Sequence, residues 1–482
     1  MKKLNKNWEI DNSYLKLPSK LYSKQLPETV NNPERIYFNY NLAKEIGLDS
    51  LSKSEILDYF SGNRLPKESN PIAQAYAGHQ FGRFTMLGDG RAVLLCEHIC
   101  PKGTRYDIQL KGSGRTPFSR QGDGRATLSS MLREYIISEA MYYLQIPTTR
   151  SLSVIKTGDK VYRDRAYSGG ILTRVSSSHI RFGTFEFVNR FCSKDDLSIF
   201  INYTINRHYN QIKDTANPVL ELFELVMIKQ INLIVHWMRV GFIHGVMNTD
   251  NMSIAGETID YGPCAFMNIY DPKTVFSSID RNGRYSFGNQ PNILYWNLAV
   301  FANSLVPLIS NDKKKSIELI KDKLDDFSTI FHNSWYNMMY KKLGILEPIK
   351  NDKKLVDSLL ELMISCKADY TNTFAALTLN NKSDDSLFES AKFKNWMEEW
   401  HHRIDYSKNS SSCISLMKTQ NPLVIPRNHL IELALEQSEN ANFTGLDNLL
   451  KLISVPYNYA SNFKFQTTPK GFDESYQTFC GT

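Results

Sequence analysis

Residues 244–266 read HGVMNTDNMSIAGETIDYGPCAF, and the order of three short groups in them decides the fold. His244-Gly245 opens the stretch, Asp250-Asn251 falls in its middle, and Asp260-Tyr261-Gly262 closes it. The segment MSIAGETID is expected to form a short β-hairpin between the last two groups. Asn251 and Asp260 then stand on either side of it as hard oxygen ligands. Such ligands suit magnesium, which holds nucleotide phosphates with few protein groups. Asp250 is the carboxylate beside them. Immediately upstream, NPVLELFELVMIKQINLIVHWMRVG (217–241) predicts a long apolar helix ending at Gly241. A surface loop rich in Asn and Asp uses the same residue types, but not in this order directly after a long helix.

The pattern resembles the catalytic loop of protein kinases. There a base Asp follows the His by two residues, an Asn follows the base by five, and Asp-Phe-Gly comes after a hairpin. Here Val246 occupies the position of the base, Asn251 keeps its spacing, and Asp260-Tyr261-Gly262 replaces Asp-Phe-Gly. The two metal positions remain, and the carboxylate reappears at Asp250. A base there meets a different phosphorus atom, or meets it from another side.

Upstream, Lys111 ends the strand-like DIQLK, as the phosphate-gripping lysine of kinases does. TLSSMLREYIISEAMYYL (127–144) follows with helical periodicity in Leu128, Met131, Leu132, Tyr135 and Ile136. A glutamate of this helix should pair with Lys111. Glu139 falls within the apolar stripe and Glu134 off it, and periodicity does not choose between them. TMLGDGRAVLLCE (85–97) reads as two strands around a Gly88-Asp89-Gly90 turn. Gly122-Asp123-Gly124 makes a second such turn. Either turn could bring backbone N–H groups to phosphate, although hairpins use the same residues. Arg91, Arg125, Arg174 and Arg181 crowd the same half and offer bidentate phosphate contacts. Arg174 and Arg181 are seven apart, two turns on one face if their segment is helical.

The chain of 482 residues, with 42% hydrophobic and 12% aromatic residues, has ample core for a large two-lobed protein. A net charge of +7 suits anionic small ligands as well as nucleic acid. NDKKKSIELIKDK (311–323) reads as a solvated helix face rather than a nucleic-acid patch. The N-terminus carries lysines without a following apolar region, and no run approaches 18 apolar residues, so neither a signal peptide nor a membrane span is expected. Seven scattered cysteines do not form a secreted disulfide framework, and Cys96 and Cys100 alone make a poor zinc signal. The expectation is a monomeric protein of reducing cytoplasm. Strand-rich sequence gives way to helical sequence, with PRNHLIELALEQSENANF (426–443) among the late helices. That order implies an α+β fold: an extension over 1–69, a strand-rich lobe over 70–185, a helical lobe with the catalytic loop over 186–310, and a helical extension over 311–482.

Five blocks, 70–95, 107–136, 169–187, 244–263 and 283–298, are similar to the selenoprotein O family. The resemblance is dense over roughly 70–300. It implies a kinase-like fold that binds ATP in a flipped orientation with magnesium or manganese. It implies transfer of AMP to protein hydroxyls, with UMP transfer described for bacterial members. By this resemblance Asp250 is the base, and Asn251 and Asp260 are the metal ligands. Lys111 contacts phosphate and Glu134 is its partner. Gly88, Gly90, Arg91, Asp123, Gly124, Arg174 and Arg181 are nucleotide-binding positions. Many members carry a selenocysteine or cysteine near the C-terminus, where this chain has Cys480. Some bacterial members tie that tail to an activation-segment cysteine, yet 270–289 contain none and Cys264 is the nearest. A phosphotransferase with a displaced base, or a catalytically dead nucleotide-binding scaffold, is the competing reading. Val246 speaks against the first; retention of Lys111, Asn251 and Asp260 speaks against the second.

Overall fold

Alternating side chains build the N-terminal lobe. In the computed structural model, residues 8–383, 386–459 and 465–479 are described, without the side chains of 406–408. The strands are β1 (Tyr22–Lys24), β2 (Glu34–Phe38), β3 (Ile72–Gln74), β4 (Ala77–Gln80), β5 (Arg83–Met86), β6 (Ala92–Ile99), β7 (Arg105–Lys111), β8 (Ala126–Thr127), β9 (Arg150–Tyr162) and β10 (Ala166–Ser176). The main sheet runs β1-β3-β6-β7-β10-β9-β2, with β8 on β10. Ile108 and Leu110 of β7, with Ile171 and Val175 of β10, face one core beneath helices α1 (Tyr40–Ile46) and α2 (Lys53–Ser61). The two-residue period sends Gln109, Lys111 and Arg174 to the opposite face. That face is covered by α3 (Leu128–Tyr143).

Two expectations change here. Residues 8–69 are not an appendage, because β1, β2, α1 and α2 complete the sheet and its outer core. Nor do the strands flanking Gly88-Asp89-Gly90 pair with each other: β5 pairs with β4, and β6 with β3 and β7. The turn instead leads from a separate hairpin into the sheet.

The helical lobe comprises α4 (Phe182–Phe191), α5 (Lys194–His208), α6 (Pro218–Arg239) and α7 (Gln290–Ile309). The apolar helix foreseen before Gly241 is α6; Pro218 opens it, where a missing N–H costs nothing. Helix α7 is apolar and long enough to cross a membrane by length and composition, contrary to the expectation that no segment would be. It packs against α4, α6 and the lysine-rich α8 (Lys313–Asp325), and Leu294, Leu298 and Phe301 are fully buried. Its buried polar groups serve the catalytic loop. Gln290 accepts from the His244 amide at 3.2 Å, and Asn297 donates to the Met247 carbonyl at 2.9 Å.

Helices α9 (Phe327–Lys342), α10 (Asp352–Cys366), α11 (Tyr370–Leu379), α12 (Ala391–Arg403) and α13 (Tyr406–Gln420) extend this lobe. Helices α14 (Asn428–Glu439) and α15 (Thr444–Ile453) return to pack on α3. Arg133 of α3 donates to Glu432 at 2.8 Å and to the Cys264 carbonyl at 2.9 Å, tying that helix to the Asp-Tyr-Gly loop. Cys480 lies outside the described residues.

A buried ionic cluster joins the lobes toward the opposite end of β7, on the same face of the sheet as Lys111. Arg207 of α5 donates to Glu97 of β6 at 2.5 Å and to Asp107 of β7 at 2.6 Å. Breaking a buried pair leaves an uncompensated charge. Arg207→Ala is therefore expected to lower stability by about 3–5 kcal/mol, read by urea denaturation. A loss within error of zero would show that water replaces the arginine there.

Candidate active site

The catalytic loop is held by its own backbone. Gly245 takes φ +80°, a conformation that favours glycine. His244 is fully buried and unlike a solvent-facing acid or base: Nε2 bonds the Ile259 carbonyl at 3.0 Å, and burial lowers its pKa. Its neutral ring spaces the two halves of the loop. The expected hairpin over 252–260 does not form. Ser253 instead bridges to Arg181, and Thr258 to Thr148. The segment finds partners in chain distant in sequence rather than in itself, and still delivers Asn251 and Asp260 to one cleft.

Asp260 is the hub of that cleft. Its Oδ1 accepts from Lys111 Nζ at 2.9 Å and from Arg174 at 2.6 Å, and its Oδ2 accepts from Arg181 at 2.6 Å. Burial would raise the Asp260 carboxyl, but Arg174, Lys111 and Arg181 outweigh it and hold the group well below the usual range. Lys111 also donates to Glu134 at 2.6 Å. Glu139 is occupied elsewhere, bonding Arg150 at 2.7 and 2.8 Å. The geometry thus pairs Lys111 with Glu134, between two residues that periodicity left equal. Arg174 and Arg181 meet at Asp260 without sharing a helix: Arg174 lies on β10, and Arg181 stands before the first turn of α4.

A cavity of about 700 Å³ surrounds this hub. Gly88, Gly90, Arg91, Lys111, Asp123, Gly124, Arg174, Arg181, Asp250, Asn251 and Asp260 all line it, with Val246. Glu134 lies behind Lys111. Seven basic side chains (Arg91, Lys111, Arg120, Arg125, Arg163, Arg174, Arg181) face four aspartates (89, 123, 250, 260) in the lining. That excess suits a polyphosphate. The two Gly-Asp-Gly turns clasp the intervening loop. Thr116 donates to the Asp89 carbonyl at 2.7 Å, and Gly114 N–H donates to the Gly124 carbonyl at 3.1 Å. A side chain on Gly124 would overlap the Gly114 backbone. Asp123 pairs with Arg163, from the β9–β10 turn, at 2.8 Å.

Asp250 faces the cleft from beside this cluster. Its Oδ1 is buried without a hydrogen-bond partner, and Arg181 binds its carbonyl at 2.7 Å. Burial, only partly opposed by Arg181, pushes the carboxyl up to about 7. A carboxylate near that value works as a general base at neutral pH. Asn251 donates Nδ2 to the Val246 carbonyl at 2.9 Å, which turns its Oδ1 away as an acceptor. Asn251 and Asp260 offer hard oxygens, and no cluster of three or more His, Cys, Asp or Glu closes a metal cage among the described residues. This open donor set fits a divalent ion that keeps waters and takes phosphate oxygens.

Two glycines with no signal in the local sequence complete the site. A side chain on Gly78 would overlap the Asp250 carboxylate, and one on Gly183 would overlap the Ala77 carbonyl. Gly78→Ala is expected to displace Asp250 and slow catalysis about 10²-fold, the scale of a 1 Å misplacement. ATP affinity from calorimetry should hold. Full activity in that variant would contradict the placement of Asp250.

A strand-rich lobe over a helical lobe, with a lysine–glutamate pair and an Asp-Tyr-Gly aspartate in the cleft, defines a kinase-like, nucleotide-dependent transferase. The family description "Protein adenylyltransferase SelO" matches residues 5–454. The chain belongs to this family. It is 52% identical over 479 residues to "Protein nucleotidyltransferase YdiU" of Clostridium beijerinckii, covering 98% of each chain. It is 50% identical to the protein of that name from Pelagibacter ubique, covering 98% of this chain and 99% of the other. A solved structure, ROP2 of Toxoplasma gondii, described as having a protein-kinase fold and no enzymatic activity, overlaps at a TM-score of 0.25. It is 11% identical and covers 70% of this chain and 87% of its own, a likeness too loose to bear on the reading.

Proposed function

We propose that this protein transfers AMP from ATP to Ser, Thr or Tyr hydroxyls of proteins and releases pyrophosphate. The observation that carries the reading is Asp250: Val246 stands where a kinase has its base, and four residues later the cleft is lined by a carboxylate, one oxygen of which is buried without a hydrogen-bond partner. The acceptor oxygen attacks the α-phosphorus, its proton passes to Asp250, and the bond to the β-phosphate oxygen breaks. Lys111, Arg174 and Arg181 would hold the departing charge, a preorganised set worth most at the transition state. Asn251 and Asp260 would hold a divalent cation, magnesium or manganese, which when bound neutralises phosphate charge. Glu134 keeps Lys111 and Arg174 aimed. The same chemistry on UTP transfers UMP.

Product analysis tests the reading. With ATP and magnesium, pyrophosphate should accumulate, and mass spectrometry should place AMP on a hydroxyl side chain. ADP accumulating with a phosphate adduct would assign the site to a phosphotransferase. Nucleotide binding without either product would assign it to a scaffold.

A further inference from the structure

The β4–β5 hairpin lies on the catalytic loop and carries features that the nucleotide does not use. His79 N–H donates to Thr249 Oγ1 at 2.8 Å, and Phe81 N–H donates to Asn248 Oδ1 at 3.1 Å. One side of the hairpin reaches the cleft through Gln80. The other is solvent-facing: Phe81 is 37% and Met86 48% exposed. Phe81 holds φ +50°, a left-handed conformation that costs a bulky residue on the order of 1–3 kcal/mol and collects at ligand sites. Its ring rests edge-on against Tyr285, with centroids 5.1 Å apart.

The surroundings are cationic. Exposed Arg83 sits on the hairpin itself. Exposed Arg190 of α4 lies 4.2 Å over the Phe84 ring, and Arg284 lies 4.8 Å over Trp296. None of the three is in an ion pair among the described residues. The nearby acids are engaged: Glu186 bonds His79 at 2.5 Å, and Asp280 accepts from the Arg284 and Tyr285 amides. An acceptor approaching Asp250 from outside therefore meets an apolar step rimmed by uncompensated positive charge.

We propose that this surface, the Phe81–Met86 edge of the hairpin with Arg83, Arg190 and Arg284, docks the acceptor segment of the protein substrate and selects segments whose modified hydroxyl is flanked by acidic residues. The inference rests on the reading of a protein hydroxyl as acceptor. Continuity with the Asp250 loop supplies the location, and charge complementarity supplies the partner's chemistry.

The test uses the full chain and three synthetic peptides, each with one central tyrosine flanked by glutamates, by lysines or by glycines. Transfer from α-labelled and, separately, γ-labelled ATP is followed on each. The acidic peptide should be labelled best, through a lower KM, and added salt should reduce the advantage. Arg83→Glu/Arg190→Glu turns two exposed attractions into repulsions, so its labelling of the acidic peptide should fall about tenfold. Its labelling of the lysine peptide should rise, while ATP affinity and melting temperature stay unchanged. The milder Arg83→Gln/Arg190→Gln should fall between. Equal labelling of acidic and basic peptides by the wild type, no labelling of any peptide, or an unchanged preference in the reversed variant overturns the docking surface. So does inhibition by an oligothymidylate at lower concentration than by the acidic peptide. An acidic preference seen with γ-label in place of α-label keeps the surface and overturns only the AMP-transfer reading.

Discussion

Asp250→Asn is expected to slow AMP transfer about 10²–10⁴-fold, the range of a positioned general base, or roughly 3–5 kcal/mol of barrier. ATP affinity should change little, because a base acts in the transition state rather than in the ground state. Stability should move the other way. Burial raises the folded pKa of Asp250 to about 7, above an unfolded value of about 3.9. Such a group costs no stability while protonated in both states. It costs progressively more as pH rises from the unfolded value through the folded one. In metal-free protein at pH 8, Asp250→Asn should therefore melt above the wild type, and the difference should vanish toward pH 4. A residue that merely shapes the loop gives the opposite result: lower melting temperature, with nucleotide binding lost in parallel with rate.

Asp260→Asn should have the second-largest effect. Asn tolerates the φ of +63° found at this position, so the backbone is preserved and only the charge is lost. Lys111 and Arg174 would then share only the Glu134 carboxylate, and Arg181 would lose its ion pair with Asp260. With the Asp260 carboxylate 22% exposed, the destabilisation should be about 3 kcal/mol, the low end for breaking a buried pair. Metal-dependent ATP binding should weaken, and transfer should fall on the order of 10³-fold with the several kcal/mol a bound metal supplies. The folded pKa of Asp260 is depressed, so its stabilisation is present above the unfolded value and is lost as pH falls through the folded one. The stability gap between wild type and variant should accordingly close in acid. Calorimetry with and without magnesium, beside urea melts across pH, measures both effects. An unchanged metal dependence would remove Asp260 from the ligand set.

What could be read in advance followed the range of the interactions. His244, Asp250, Asn251 and Asp260 lie within seventeen residues, so their order is a local pattern and stood out at once. Lys111 was legible from its strand, and the long helices before and after the catalytic loop from their periodicity. The Lys111 partner was not legible from period alone, because Glu134 and Glu139 are both buried and differ only in what crosses above them: Lys111 and Arg174 for one, Arg150 for the other. The hairpin expected at 252–260 failed for a related reason. Its hydrogen bonds go to 180–182 and 147–149, which lie some 70 and 110 residues away in sequence. Gly78 and Gly183 carry no local sign of their role, since the groups they clear, Asp250 and Ala77, come from distant or separate elements. Arg163 reaches Asp123 only because β9 and β10 carry their turn over the Gly122–Gly124 loop.

The displaced carboxylate is proposed to redirect attack from the γ- to the α-phosphorus. Parallel incubations of one preparation with α-labelled and with γ-labelled ATP, followed by autoradiography of the protein, test it most directly. Covalent label is expected from the α-position and none from the γ-position, with the α-signal lost in Asp250→Asn. Label from the γ-position with none from the α-position would contradict it.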